Sequence, residues 1–371
     1  MLTLHLDCET RSEIDLKDRG IDNYVKHPST KMLMLAYAFD DGGVLLWEPH
    51  RNPEPPEDLM AALYNKDVVK RAWNVSFEYN IFRHVMKWPV RLNQFVDTMA
   101  HARYLALPAK LGPCCKVLNL PVDKAKDKSS TALIKTFSIL TEPKATKKNP
   151  NPAAPYFKDE NSHAEQWRQF GEYCKQDVVA ERAAGHTLNG LGEFPESEYT
   201  AWILTEIIND RGYPVDMLYV NNALRIAAQV VAGYLEELTT LTGLDNPNST
   251  DQLHGWLSER GYKDPSIDVK HVIDALEHDK LTLEARQALE IRQKMGGTSY
   301  KKLEAIQRLV SDDGRLRNAF VYHAAHTGRW SSRGMNFQNL YRPTGVYKNH
   351  IEEITEAIRS GTLLEKLGKQ S

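Results

Sequence analysis

The chain has 371 residues, enough for two or three domains rather than one. Hydrophobic residues make up 42% and charged ones 26%, the mix of a water-soluble globular protein, and no run of about 18 apolar residues exists to span a membrane. Forty-seven Lys and Arg against forty-nine Asp and Glu leave a formal charge of -2, so no global basic field draws the chain to polyanions. Met1 to Asp7 place no cationic segment before an apolar one, so a secretion signal is not expected. Four cysteines, two of them adjacent at Cys114 and Cys115, make neither a disulfide framework nor a zinc clip. A reducing cytoplasm is the expected setting.

Leu2, Leu4 and Leu6 alternate with Thr3, His5 and Asp7, which predicts a first strand. Met32 to Tyr37 and Val44 to Trp47, around the Asp41-Gly42-Gly43 turn, predict two more, so the first forty-odd residues read as strands. A helix is expected over about 57–65, a short strand from Val68 to Trp73 and a further helix from Phe77. This succession predicts an α/β domain, a mixed sheet flanked by helices. Residues 121–160 hold eight lysines and Asn149-Pro150-Asn151-Pro152, and read as an extended, solvated loop. A long helix is predicted from about His163 to Asn189. After Pro195 the pattern is helical over 196–211, 216–243, 249–260, 268–277, 282–294 and 298–310, a second and mainly α domain. Short β-like segments return from Leu316 to Ala325, and the tail from His350 reads as one amphipathic helix.

Charge is uneven. Between Arg292 and Lys348 stand eleven Lys or Arg and three acids, a local balance of +8. Such a run is often a solvated face, but here Tyr300, Phe320, Tyr322, Trp330, Phe337 and Tyr341 are interleaved with it. Cations with aromatics are what phosphate contact and base stacking require, so nucleic acid is the expected partner.

Three segments carry acids in positions that invite chemistry. Asp7 and Glu9 end the first strand and, two apart, point to one face, where two carboxylates can share a divalent cation. An Asp-x-Glu triplet occurs by chance about once in such a chain, so its meaning comes from its company. Trp73 to Glu78 run from strand through turn into helix, placing Glu78 in the first helical turn; taken alone it is a dipole-favoured acid behind a Ser76 cap. In the long helix Tyr173 and Asp177 lie four apart on the face that Trp167, Phe170 and Cys174 mark as buried. A carboxylate there needs an arginine partner or a metal.

Asp-x-Glu on strand one, an acid after a strand-turn, and Tyr-x3-Asp on a late helix, in that order, resemble the tyrosine-bearing subtype of the DEDD 3′–5′ exonucleases. Asp97-Thr98 also resembles the helix start found between the second and third motifs of that family. The resemblance covers roughly residues 1–190 and implies an exonuclease domain over 1–192, with an RNase H-like fold and two-metal hydrolysis of DNA 3′ ends. Asp7, Glu9, Glu78 and Asp177 would hold two Mg²⁺ ions, with Mn²⁺ as a substitute, and Tyr173 would orient the attacking water. The family's second motif usually carries Asp, where this chain has Glu78, one methylene longer.

Downstream, Arg211-Gly212-Tyr213-Pro214-Val215-Asp216, Asn246 to Leu253 and Thr298 to Leu303 resemble the thumb of family A DNA polymerases, of the phage type. His326-Thr327-Gly328-Arg329-Trp330-Ser331-Ser332, followed by Asn336-Phe337-Gln338-Asn339, resembles the palm segment that grips primer–template DNA. By this resemblance Lys301, Lys302, Thr327, Arg329, Ser331, Ser332, Asn336, Gln338 and Asn339 would bind DNA. Residues 193–311 would be the thumb, 312–345 the start of the palm and 346–371 a tail. No Asp follows Asp313, so the metal-binding acids of the polymerase site are not expected in this chain. The leading expectation is the proofreading exonuclease portion of a family A polymerase, acting on single-stranded 3′ ends. The alternatives are a non-catalytic module that binds primer–template, and one half of a split polymerase completed by a separate palm and fingers polypeptide.

Overall fold

The structure is a computed structural model that describes residues 2–121, 128–146, 150–278, 281–295, 299–340 and 342–362. Parts of the lysine-rich stretch, and the tail beyond 362, lie outside the described residues. The chain forms two compact units: one runs to Pro214 and takes in Leu309–Gln338, the other comprises Val215–Arg308 and the residues from Asn339 onward.

The first unit opens with β1 (Thr3–Arg11), α1 (Leu16–Lys26), β2 (Lys31–Phe39), β3 (Leu45–Trp47), α2 (Glu57–Tyr64) and β4 (Val69–Ala72). Then come α3 (Val75–Asn80), β5 (Phe95–Asp97), α4 (Thr98–Tyr104) and α5 (Leu111–Val117). The five strands form one mixed sheet in the order β3-β2-β1-β4-β5, with β1 antiparallel to β2 and parallel to β4. The strand that carries the first acids is thus the central one. Leu4, Leu6, Val25, Leu35, Leu59, Val75 and Phe82 build the core against one face. The α/β expectation holds, with two additions. α1 falls in a stretch read as strands; Asp15 caps it, accepting from Lys17 and Asp18 N–H, and Ile21, Tyr24 and Val25 bury one face. Gly20, at φ 75, interrupts that helix, which blurs its period. β5 is three residues long, too short for alternation to register.

The lysine-rich stretch is not an extended loop throughout. It holds α6 (Lys128–Ser138), whose Leu133 and Phe137 are buried. Four-residue spacing of those two puts them on one face, and the many lysines conceal the stripe. Phe137 stacks on Phe170 and meets Trp167 edge-on, at centroid distances of 5.4 and 5.0 Å. Both partners belong to α7 (Ala164–Leu191), which lies across β1 and β2 and buries Trp167, Phe170, Cys174 and Val178 with Leu33, Met34, Ala36 and Ala38. Helix and sheet are close enough that a Cβ on Gly171 would stand 2.8 Å from Leu46 Cδ2.

α8 (Glu196–Arg211) belongs to this first unit, because its Trp202 is buried in the main core together with Tyr322. β6 (Tyr213–Pro214) pairs antiparallel with β7 (Arg315–Leu316), and β8 (Phe320–Val321) with β9 (Ser331–Ser332). The units therefore part at Pro214 and Leu309, where the sequence suggests 192 and 311.

The second unit is helical: α9 (Met217–Thr242), α10 (Thr250–Ser258), α11 (Val269–His278), α12 (Leu283–Met295), most of α13 (Ser299–Leu309), α14 (Val346–Asn349) and α15 (Ile351–Arg359). Leu238, Leu253, Leu257, Ala288 and Leu289 form its core. Arg359 of α15 bridges to Asp216 at 2.7 Å, while Asn222 of α9 donates to the Arg359 carbonyl at 2.7 Å. Among the described residues no helix is long and apolar enough to cross a membrane.

If α6 is core rather than loop, Phe137→Ala will lower unfolding free energy by about 3–5 kcal/mol. Urea titration followed by tryptophan fluorescence reads this; a change below about 0.5 kcal/mol would return the segment to the solvent.

Candidate active site

The central strand presents Asp7, Glu9 and Arg11 half-buried on one face, with Cys8 and Thr10 between them buried on the other. α7 crosses behind. Cys174 Sγ–H donates to the Asp7 carbonyl and to its Oδ2, both at 3.4 Å. Two turns further on, Glu181 Oε2 lies 2.6 Å from His5 Nδ1. Asp177 sits between those two contacts.

Glu78 arrives from the third element. α3 begins after Asn74, whose backbone is left-handed at φ 76 and ψ 57, and no side chain caps it; the Ser76 cap expected from sequence does not form. The Asn74 N–H donates instead to Asp97 Oδ1 at 3.1 Å. The same oxygen accepts from Met99 and Ala100 N–H at 2.9 and 3.3 Å, so the Asp97-Thr98 pair does start a helix, as its resemblance implied. One carboxylate therefore ties the turn before Glu78 to the start of α4. Burial pushes Asp97 up to about 6 in spite of those hydrogen bonds.

Asp7, Glu9, Glu78 and Asp177 act on one another. Burial raises Glu9 well above the usual carboxylate range, and Asp7, Asp177 and Glu78 raise it further. Glu78 is raised by burial, then by Asp7, with smaller contributions from Asp97 and Glu181. Its Oε2 is buried with no hydrogen-bond partner. Tyr173 is held protonated by burial and then by Asp177 and Glu9, and its hydroxyl donates to Asp177. Burial, followed by Asp7 and Glu9, also keeps the Cys174 thiol neutral. The five residues singled out from sequence are thus gathered into one electrostatic neighbourhood. Among the described residues, however, no three His, Cys, Asp or Glu side chains stand ready to close on a single ion.

Behind the acids lies a set that pattern reading does not find. Glu181, 1% exposed, accepts from Thr98 Oγ1–H of α4 through one oxygen and contacts His5, 2% exposed, through the other. Strand, helix α7 and helix α4 are joined at one side chain. The available signal is Glu181 four residues after Asp177, on the same buried face.

No family model matches the chain. It is 35% identical to the DNA polymerase of Bacillus phage SP02 over 359 residues, 96% of this chain and 53% of the phage protein. Among solved structures it resembles the POL domain of Pol1 from M. smegmatis, determined in complex with DNA primer-template and dNTP; the TM-score is 0.51 at 16% identity, covering 92% of this chain and 53% of that one. The chain is similar, over nearly its whole length, to part of a phage DNA polymerase. It spans about half the length of the phage polymerase it matches.

The residues expected to grip DNA are divided between the units. Thr327, Arg329, Ser331, Ser332, Asn336 and Gln338 belong to the first, Lys301, Lys302 and Asn339 to the second. Thr327, Arg329 and Asn336 are exposed. Gly328 has φ 76, and a Cβ there would meet His323 Nε2 at 2.8 Å, so only glycine allows the turn that presents Arg329. Trp330 anchors the turn, its indole N–H donating to Thr205 Oγ1 at 2.7 Å. Ser332 donates to the Gln338 side-chain oxygen, so these two brace the loop rather than standing free. In the second unit Lys302 donates to the Asn339 carbonyl.

Glu181→Ala removes the partner of two buried groups, and the expected loss of stability is about 3–5 kcal/mol, the scale for opening a buried pair. Equilibrium denaturation measures it; a loss under about 1 kcal/mol would mean that His5 and Thr98 find other partners.

Proposed function

We propose that the first unit is a metal-dependent 3′–5′ exonuclease with an RNase H-like fold, the proofreading portion of a family A DNA polymerase. The observation that carries the reading is the convergence of Asp7, Glu9, Glu78 and Asp177, from β1, α3 and α7, in a place where the charges acting most strongly on Glu9 are all negative. All four donors are hard oxygens, and the orphaned Glu78 Oε2 is a free lone-pair site, so the set suits Mg²⁺ or Mn²⁺. Asp7, Glu9 and Asp177 would hold one ion, and Asp7 with Glu78 a second. Bound there, such ions supply nucleophile activation and charge neutralisation at the phosphodiester. Tyr173, protonated and already bonded to Asp177, would orient the attacking water with its hydroxyl. A frayed single-stranded 3′ end is the natural substrate, since its unpairing cost has been met before it arrives.

We further read residues 193–311 as the thumb and residues 312–345, with Arg329, as the start of the palm, the parts that would contact primer–template DNA. The exposed Arg329 would fork onto a phosphate, a contact without base information. A non-catalytic DNA-binding role has one observation in its favour: no three ligands stand in ready coordination among the described residues.

Degradation of a labelled single strand in Mg²⁺ separates the two. Asp7→Ala and Asp177→Ala should each abolish shortening, Tyr173→Phe should slow it about 10²-fold with DNA affinity retained, and Glu78→Ala should be severely impaired. Persistent shortening by purified Asp7→Ala would sink the assignment. For the DNA grip, Arg329→Ala should weaken duplex binding for every sequence and reduce the slope of log affinity against log salt by about one. An unchanged slope would remove Arg329 from the interface.

A further inference from the structure

Glu181 is the buried acid that the nuclease reading leaves without a part in the chemistry. Each of its oxygens is committed to a different element: Oε2 meets His5 Nδ1 of β1 at 2.6 Å, and Oε1 accepts the Thr98 hydroxyl of α4. All three side chains are buried. Arg71 of β4 closes the same space. It is the ladder partner of His5, and a Cβ added at Gly185, one turn after Glu181, would stand 3.6 Å from Arg71 Nη1 and 3.8 Å from Glu181 Oε1.

Each of these contacts lies one structural step from an acid of the candidate site. His5 precedes Asp7 by two residues and so shares its face of β1. Glu181 follows Asp177 by four, one turn along the buried face of α7. Thr98 adjoins Asp97, whose carboxylate accepts the Asn74 N–H at 3.1 Å, and Glu78 stands four residues beyond Asn74. No hydrogen bond holds Glu78 Oε2, so its place depends on that backbone turn. The elements that carry the acids, β1, α3 and α7, are therefore tied to one another through a single carboxylate.

We propose that Glu181 is a positioning residue: it sets the spacing of Asp7, Asp177 and Glu78, and through that spacing the affinity of the site for divalent cations. The proposal rests on the nuclease reading of those acids. Carboxylates drawn together repel, and until a cation arrives the scaffold has to carry that repulsion. A buried hydrogen-bonded tie suits the task, because parting it leaves polar groups out of water without partners. Removing an outer partner of this kind typically costs a metal site about 10–100-fold in affinity.

The test titrates the full chain with Mn²⁺ in the absence of DNA and follows the free ion by electron paramagnetic resonance. Glu181→Ala should weaken Mn²⁺ binding about 10–100-fold. Thr98→Val, which keeps the shape and removes the hydroxyl, should weaken it about tenfold, and Thr98→Ser, which restores a hydroxyl, should return it toward the wild-type value. If Glu181→Ala does not fold, the two Thr98 variants decide alone. In shortening of a labelled single strand, the Mn²⁺ concentration giving half the maximal rate should rise by the same factor, while the rate at saturating Mn²⁺ stays near that of wild type. A merely structural role would lower the melting temperature of Thr98→Val and leave its Mn²⁺ affinity unchanged, and that result overturns the proposal. So does Thr98→Ser binding as weakly as Thr98→Val. A wild-type chain that neither binds Mn²⁺ nor shortens DNA would bring down the nuclease reading together with the role of Glu181. A wild-type chain that does both, beside variants of equal Mn²⁺ affinity, would bring down the role of Glu181 alone.

Discussion

Like charges withdrawn from water repel strongly, and the first unit is organised around holding several of them together. Two carboxylates about 4 Å apart at an effective dielectric near 20 oppose each other by roughly 4 kcal/mol. Asp7, Glu9, Glu78 and Asp177 therefore stay near one another only because each is fixed by an element that cannot retreat. β1 is the central strand and is paired on both sides. α7 is clamped by its apolar stripe of Trp167, Phe170, Cys174 and Val178. The turn before Glu78 is tied through Asp97 to the start of α4. Glu181 then joins β1, α7 and α4 at a single buried side chain. The scaffold supplies the stability that the acids subtract.

The two halves of this arrangement differ in how far they can be read from sequence. Asp7 with Glu9, and Tyr173 with Asp177, are legible because periods of two and of nearly four put each pair on one face wherever the element lies. The long helices of the second unit are legible for the same reason, since α9 alone runs 26 residues. Short or interrupted elements are not: β5 has three residues, α1 is broken at Gly20, and α6 hides Leu133 and Phe137 among lysines. The His5–Glu181–Thr98 contact cannot be read at all, because it joins residues up to 176 apart that become neighbours only through the β1–α7 register. Asn74 reads as part of a capped turn, whereas its left-handed backbone offers its amide to the carboxylate that caps a distant helix. Local pattern identifies the acids, and tertiary geometry decides what supports them.

The same distinction applies to the segment around Arg329. Its residue types suggest a polar surface with many hands for DNA. In the fold several of those hands are occupied: Ser332 and Gln338 hold each other, and Trp330 holds α8 through Thr205. Thr327, Arg329 and Asn336 are exposed beside these bonded residues, on a loop that the bonds brace. Rigidity of this kind lowers the entropy lost when a phosphate is bound.

The pairing of Tyr213 with Leu316, and of Pro214 with Arg315, has a consequence for the order in which the molecule is made. A chain emerging from the ribosome exposes the five-stranded sheet and α8 first, yet Trp202 has no Tyr322 to pack against and β6 has no partner strand. About a hundred residues must pass before they arrive, and a flexible loop of that length closes at an entropic cost of roughly 4 kcal/mol. If the intervening helices condense first, they shorten the distance that β7 has to search. The first unit, although begun first, is completed only once residues 309–338 have been made.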